Sequence, residues 1–198
     1  MSNAAGRVAD YPVDKVFLER WSPRAFADDA ITKIELKTML EAGRWAASSY
    51  NAQPWRFLYA LRNTQPWATF LNLLTPFNQS WAKDAAALVV LVSNSLTRTP
   101  GTDVDVASYS HSLDAGAAAA NMALQATMMG WHAHGMIGVD MARAASELNV
   151  PQSFRVEAVY AIGRKGDPTH LTEALRAREQ PSPRLPLDEL AFEGGFPS

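Results

Sequence analysis

The sequence predicts an α+β fold, a mixed sheet with helices packed around it, and three observations point there. Residues 85–92 form an uninterrupted apolar run in which Leu88, Val89, Val90, Leu91 and Val92 favour a strand buried on both faces. Thr32-x-x-Glu35 has the spacing of a capping box, and Leu36, Met39, Leu40, Gly43, Ala46 and Ala47 follow it at helical intervals. Helix-like and strand-like segments do not alternate one for one, which argues against a regular βαβ array. A length of 198 residues fits a single domain over 1–198.

Taken in order, residues 1–10 are small and polar and are expected to fray. A short helix is expected over 13–20. The capping-box helix, with Ile31 just outside it, runs out at Ser48-Ser49, leaving Ser48-Ser49-Tyr50-Asn51-Ala52-Gln53-Pro54-Trp55 at its C-terminus and in the loop beyond. Pro54 cannot continue a helix, so 56–61 reads as a strand, and a helix follows near 65–74. Beyond the apolar strand, 93–106 is polar, contains Pro100-Gly101 and reads as a mobile loop. Residues 107–129 form a long Ala- and Met-rich helix ended by Gly130. Leu113, Ala117, Ala120, Leu124 and Met128 share one stripe of it, read as core, with a dimer interface as the second reading. A strand at 131–137, a helix from N-cap Asp140 to Asn149 stopped by Pro151, and a strand at 154–162 follow. Pro181, Pro183, Pro186 and Pro197 make 180–198 an extended arm.

The composition, 47% hydrophobic and 19% charged, supports a real core. Charged residues are scarce enough to expect part of the surface under another subunit. Eighteen basic minus twenty acidic residues give −2, no electrostatic footprint for nucleic acid or anionic membrane, so any anion site must be local. The absence of cysteine excludes disulfides, thiolate metal sites, iron–sulfur clusters and cysteine nucleophiles. No basic-then-apolar leader opens the chain and no apolar run approaches the roughly 18 residues that span a bilayer. A soluble, cytoplasmic protein is expected.

Neither G-x-G-x-x-G nor G-x-x-x-x-G-K-[ST] is present. His132 and His134 share one face of a strand, but no further ligand stands nearby, and they read as ordinary strand histidines rather than a metal pair. Ser110, His111 and Asp114 are triad-like in type but lie on one helical turn, and no serine sits in a nucleophile elbow. Asp103 and Asp105 read as solvated. Two clusters remain. Arg20-Trp21-Ser22-Pro23-Arg24 sets two guanidinium forks beside a hydroxyl, a pattern suited to phosphate. Ser48 to Gln53 offers hydroxyls and amides able to read a polar heterocycle. Each has a plainer reading: a salt-bridged helix end for the arginines, and a helix-terminating residue with positive φ for Asn51.

Arg20-x-Ser22-x-Arg24 before an amphipathic helix, with Ser48-Ser49-x-Asn51-x-Gln53-Pro54-Trp55 leading into a strand, resembles the nitroreductase family of flavin enzymes. The likeness continues through Asn78, the helix from Asp114 to Gly130, the loop Gly135-Met136-Ile137-Gly138 and Arg184-Leu185-Pro186. The resemblance implies a mostly antiparallel sheet flanked by helices, an intertwined homodimer, and FMN at the dimer interface. It also implies NAD(P)H as hydride donor and a ping-pong cycle ending on a nitroaromatic or quinone-type acceptor. By that resemblance Arg20 and Ser22, with Trp21 between them, would hold the phosphate and ribityl end, and Arg24 the pyrimidine edge. Ala47, Ser48, Ser49 and Asn51 would come from the partner subunit and lie against the ring. Asn78 would bond the pyrimidine edge, and Gly135, Ile137 and Gly138 would lie on the reactive side. Arg184 would clamp the phosphate from the other chain.

A cation near the pyrimidine edge would stabilise the charge that reduced flavin develops there, and the flavin itself carries the hydride chemistry, so no catalytic acid–base pair is needed. Three positions depart from the family pattern. Trp81 and Ser182 stand where basic residues are common, and Ile137 where some members have an acid. Tyr50 is expected to line an apolar substrate face. The alternatives keep the flavin with other chemistry (enone or aldehyde reduction, dehalogenation), bind it without turnover, or use the dimer as a cofactor-free binding module.

Overall fold

The structure, a computed structural model, describes residues 6–99 and 101–197. The expectations for residues 1–5, for Pro100 and for the last residue of the arm, Ser198, lie outside the described residues. The first helix, α1 (Lys15–Glu19), starts where Asp14 accepts the Val16 N–H. The second, α2 (Lys33–Arg44), carries both arms of the predicted capping box: Thr32 Oγ1 accepts from Glu35 N, and Glu35 accepts from Thr32 N. It ends four residues before the expected Ser48, because the Trp45 N–H turns back onto Ala42 O and Gly43 O. Then come β1 (Trp55–Leu61), α3 (Trp67–Asn72) and α4 (Pro76–Ala82). The last was not anticipated, although Thr75-Pro76 is a helix start with proline at its first position.

β2 (Ala87–Asn94) is the predicted central strand, buried from Ala87 to Ser93. Residues 93–106, expected as a loop, contain most of a small hairpin, β3 (Leu96–Arg98) paired with β4 (Asp105–Ala107). The long helix α5 (His111–Met128) ends before Gly130 at φ +74. After it come β5 (His132–Met136), α6 (Met141–Glu147) behind its N-cap Asp140, β6 (Phe154–Gly163) and α7 (Glu173–Arg176).

Among the described residues the main sheet has the order β1-β2-β6-β5, with every neighbouring pair antiparallel. Strand alternation divides β2 between two cores. Leu88, Val90 and Val92 pack with Phe70 of α3, Leu73 just after it, Trp81 of α4 and Ala144 of α6. Ala87 and Val89 pack on the other face with Leu36 and Met39 of α2 and Met122 and Ala126 of α5. Burying each such Leu, Val or Met contributes about 1.5–3 kcal/mol.

The face that α5 turns inward is a correction. Its buried residues are Asp114, Ala115, Ala118, Ala119, Met122, Ala123 and Ala126. In the expected stripe Leu113 is 75% exposed, Met128 is 64% exposed, Ala117 and Ala120 are exposed and Leu124 is half-buried. Close approach chose the small face: a Cβ on Gly43 of α2 would stand 3.0 Å from Ala118 O and 2.9 Å from the Phe57 ring. No helix of the described residues is long and apolar enough to cross a membrane.

Candidate functional site

The segment after α1 explains the Arg-x-Ser-x-Arg spacing. Pro23 and the extended backbone at Arg20 (φ −63°, ψ 119°) keep it from continuing the helix. Side chains therefore alternate: Trp21 and Pro23 are buried, while Arg20, Ser22 and Arg24 remain on the open side. Backbone bonds hold the segment to the chain after β6, Ala27 N to Arg164 O and Gly166 N to Ala25 O, both 2.9 Å. A Cβ on Gly166 would come within 2.5 Å of the Phe26 backbone, so glycine permits the approach. From β5, His134 Nδ1 lies 2.9 Å from Pro23 O.

The open side of the segment lines a cavity of about 210 Å³ shared with Arg7, His134, Arg178, Gln180, Ser182 and Arg184. Five guanidinium groups meet there, from Arg7, Arg20, Arg24, Arg178 and Arg184, and no acidic side chain lines it among the described residues. Arg20 Nη1 lies 3.4 Å from Ser22 Oγ. Arg7 donates to Arg20 O at 2.7 Å and, through Nε, to Ser182 O at 3.2 Å. Arg184 Nη1 rests on its own backbone at Pro183 O, 2.9 Å away. Arg24 Nε is buried with no partner.

The electrostatics reflect this crowding. Burial, then Arg184, lowers the pKa of Arg20; burial, then Arg178, lowers that of Arg24, against an opposing effect of Glu179. Burial first, and Arg24 and Arg20 among the charges, bring His134 down to about 4, so it is neutral at pH 7 and donates its Nδ1–H to Pro23 O. His132 is likewise lowered to about 4, by burial, Lys165 and Arg20. Among the described residues, no group of three or more His, Asp or Glu side chains is arranged to hold a metal ion.

The structure thus brings together Arg20, Trp21, Ser22, Arg24 and Arg184. Arg184 was expected from the other chain; it lines the cavity within the same chain, because the C-terminal arm folds back onto Arg7 and the segment after α1. A second grouping joins Asn78, whose Nδ2 donates to Gly138 O at 3.0 Å, to the loop after β5. A Cβ on Gly138 would stand 2.6 Å from that nitrogen. Ile137 beside it is 81% exposed, and Gly135 is exposed over the ring of Tyr160. The third grouping, Ala47, Ser48, Ser49 and Asn51, lines no part of the cavity. Ser48 Oγ accepts from Gln53 N at 3.0 Å and Ser49 N donates to Asp114 Oδ2 at 3.3 Å. Asn51 has the expected positive φ, +54°, but does not terminate α2, which ends at Arg44; with Tyr50 at +51° and Gln53 at +46° it makes a strained, largely exposed loop.

Two departures from the family pattern gain a physical account. Trp81 is 1% exposed and belongs to the core, with the Arg24 guanidinium 5.9 Å and the His134 ring 4.5 Å from its ring. At Ser182, Arg7 supplies a guanidinium from the opposite end of the chain. Sequence reasoning missed Arg7, His134, Arg178, Gln180 and Glu179. The one local signal was the Arg176-x-Arg178 pair before the prolines.

Two other sites carry less. A wider cleft of about 630 Å³ beside Phe26, Lys83 and His170 has mixed charge, and its Arg62 is already engaged by Asp28 at 2.7 Å and by Asp84 O at 3.1 Å. Ser93 Oγ lies 2.7 Å from His111 Nδ1 but donates to Glu157 Oε1 at 2.5 Å, and Ser93 is fully buried. A hydroxyl spent on a carboxylate and sealed from solvent is no nucleophile.

Residues 18–66 and 61–164 match the sequence model of the nitroreductase family. An uncharacterized 15.4 kDa protein in the ask 5′ region of Mycolicibacterium smegmatis is 35% identical over 147 residues, covering 70% of this chain and 95% of that protein. A crystal structure of an oxidoreductase containing FMN superposes with a TM-score of 0.95 at 45% identity, covering 100% of this chain and 99% of the other. A candidate nitroreductase in complex with FMN from Desulfovibrio desulfuricans superposes with a TM-score of 0.70 at 25% identity, over 96% and 100% of the two chains.

Proposed function

Since the chain belongs to the nitroreductase family, we propose that it is an FMN-dependent oxidoreductase, a homodimer that passes a hydride from NAD(P)H to a small aromatic or conjugated acceptor of the nitroaromatic or quinone type. The observation that carries this reading is the arginine cavity. Arg20, Ser22 and Arg24 face it from one side of an extended segment, Arg184 and Arg7 close it from the other, and Arg24 Nε is a buried donor with nothing to bond. A phosphate with its polyol suits such a donor set, since guanidinium forks pair bidentately with phosphate oxygens. The 45%-identical structure of an FMN-containing oxidoreductase supports the choice of flavin.

Size supports the dimer. About 210 Å³ is below the roughly 300–1,000 Å³ of a pocket that encloses a whole ligand, so further walls must come from elsewhere. The exposed Leu113, Met128 and Tyr50 offer an apolar surface for a second copy, whose Ala47 to Asn51 loop would face the ring. When bound, FMN supplies hydride acceptance and donation. The protein's part is to hold it: Arg20 and Ser22 for the phosphate and ribityl end, Arg184 for the phosphate, Arg24 for the pyrimidine edge. Gly135 near the end of β5, with Ile137 and Gly138 in the loop beyond it that Asn78 pins, would border the reactive side.

The test is an anaerobic titration of the purified protein with NADH and with NADPH, followed by an acceptor panel. A yellow protein is expected whose absorbance near ~450 nm is bleached by a nicotinamide and restored by a nitroaromatic or quinone. A colourless protein that takes up no added FMN would refute the reading, and a yellow one that neither nicotinamide bleaches would reduce it to flavin binding without turnover.

A further inference from the structure

A carboxylate is built against the arginine cavity and no ion pair with Arg24 uses it. Glu179 is half-buried and is delivered by the turn after α7, where its own N–H bonds Arg176 O at 3.1 Å. Its Oε1 accepts from Arg24 N at 2.7 Å and from Ala25 N at 2.8 Å, so one oxygen satisfies two consecutive amides 155 and 154 residues away. Its Oε2 is buried without a partner, as is Arg24 Nε. Half of the carboxylate therefore makes no hydrogen bond, which is costly in a buried group unless nearby charge compensates.

That charge is present. Arg24 on one side of the clip lines the cavity, and so do Arg178 and Gln180, the neighbours of Glu179 on the other. Burial and Arg178 disfavour the charged form of Arg24, and Glu179 favours it. Five guanidinium groups exceed what one phosphate dianion needs, and without a counter-charge they would hold any anion tightly.

We propose that Glu179 is a positioning residue of this cavity: it clips the Arg20–Arg24 segment to the C-terminal arm, and its negative charge limits how tightly the cavity holds an anion. The inference deepens the proposed function and rests on it only for the flavin measurements below.

The experiment compares the full-length protein with Glu179→Gln and Glu179→Ala. Three quantities are read: the Kd for inorganic phosphate at low ionic strength, the Kd for FMN, and the midpoint potential of the FMN-loaded protein. Glu179→Gln keeps a carbonyl oxygen for the two amides and loses the charge. Its phosphate and FMN Kd values should fall by about three- to tenfold, as one unit charge removed from a partly screened site would produce. Its flavin potential should rise, because the reduced ring carries the additional negative charge. Glu179→Ala loses the clip as well and should bind both ligands more weakly than the wild type.

Glu179→Gln indistinguishable from the wild type in Kd and potential would overturn the charge role, and it decides this even where Glu179→Ala fails to fold. Glu179→Ala that folds and binds as the wild type would overturn the clip. A wild type that ignores phosphate overturns the inference, whereas one that binds phosphate but no FMN overturns the flavin reading and leaves Glu179 in its role.

Discussion

Acid should destabilise this fold through His134 before most carboxylates titrate, and the size of the effect follows from its surroundings. The ring is 9% exposed, donates Nδ1–H to Pro23 O at 2.9 Å, packs 4.5 Å from the Trp81 ring, and has Arg24 and Arg20 as charged neighbours. Its pKa falls from 6.5 to about 4 on folding. Below about 6.5 the unfolded chain binds a proton that the native ring refuses until about 4, so unfolding takes up a proton throughout that window. Stability is therefore greatest above 6.5 and declines as pH falls, with the loss complete below about 4. At about 1.4 kcal/mol per unit the contribution is about 3 kcal/mol. His132, also lowered to about 4, adds a loss of the same sign. The assay is urea unfolding of the flavin-free protein from about pH 7 to about pH 4, with Glu and Asp effects removed by comparison with His134→Gln. The glutamine can still donate to Pro23 O but cannot titrate, so its midpoint should fall with acid distinctly less steeply than the wild type's. Identical slopes for the two proteins would refute the reasoning, because the proton uptake would then belong to other groups.

Three further outcomes are expected. Thr32→Ala removes the Oγ1 that accepts from Glu35 N and donates to Glu35 Oε2, while the backbone N–H of residue 32 still donates to Glu35; the lost side-chain cap of α2 should cost about 1 kcal/mol in chemical denaturation. Gly138→Ala places a methyl 2.6 Å from Asn78 Nδ2; moving Asn78 away breaks its bond to Gly138 O and should cost about 1–3 kcal/mol, with weaker retention of FMN measured by flavin fluorescence. Leu113→Glu combined with Met128→Glu puts charge on the exposed stripe of α5 without touching its buried face, so light scattering should show a monomer and added FMN should bind poorly; an intact dimer would show that this stripe is not the interface.

What could be read in the sequence was local. The Thr32 and Glu35 capping box needed only a three-residue spacing. The apolar run of β2 announced a strand covered on both faces, and both cores do cover it. Arg20, Ser22 and Arg24 at intervals of two needed only an extended backbone, which Pro23 helps to enforce, to reach one side together. Where the reading failed, the deciding contacts were distant. The larger side chains of α5 pointed to one face as core, but the alanine face was buried because Gly43 and Ala118 come close enough to exclude anything bulkier. Arg184 joined Arg20 in one chain through an arm held by Arg7 and Glu179, across separations of 175 and 155 residues. The sequence alone thus determined the residue types and local spacing suited to an anion, and the strands and caps that present them. Only the tertiary structure decided which guanidinium groups converge, which carboxylate lies against their segment and which face of α5 is exposed, because those choices depend on packing between segments that no local pattern encodes.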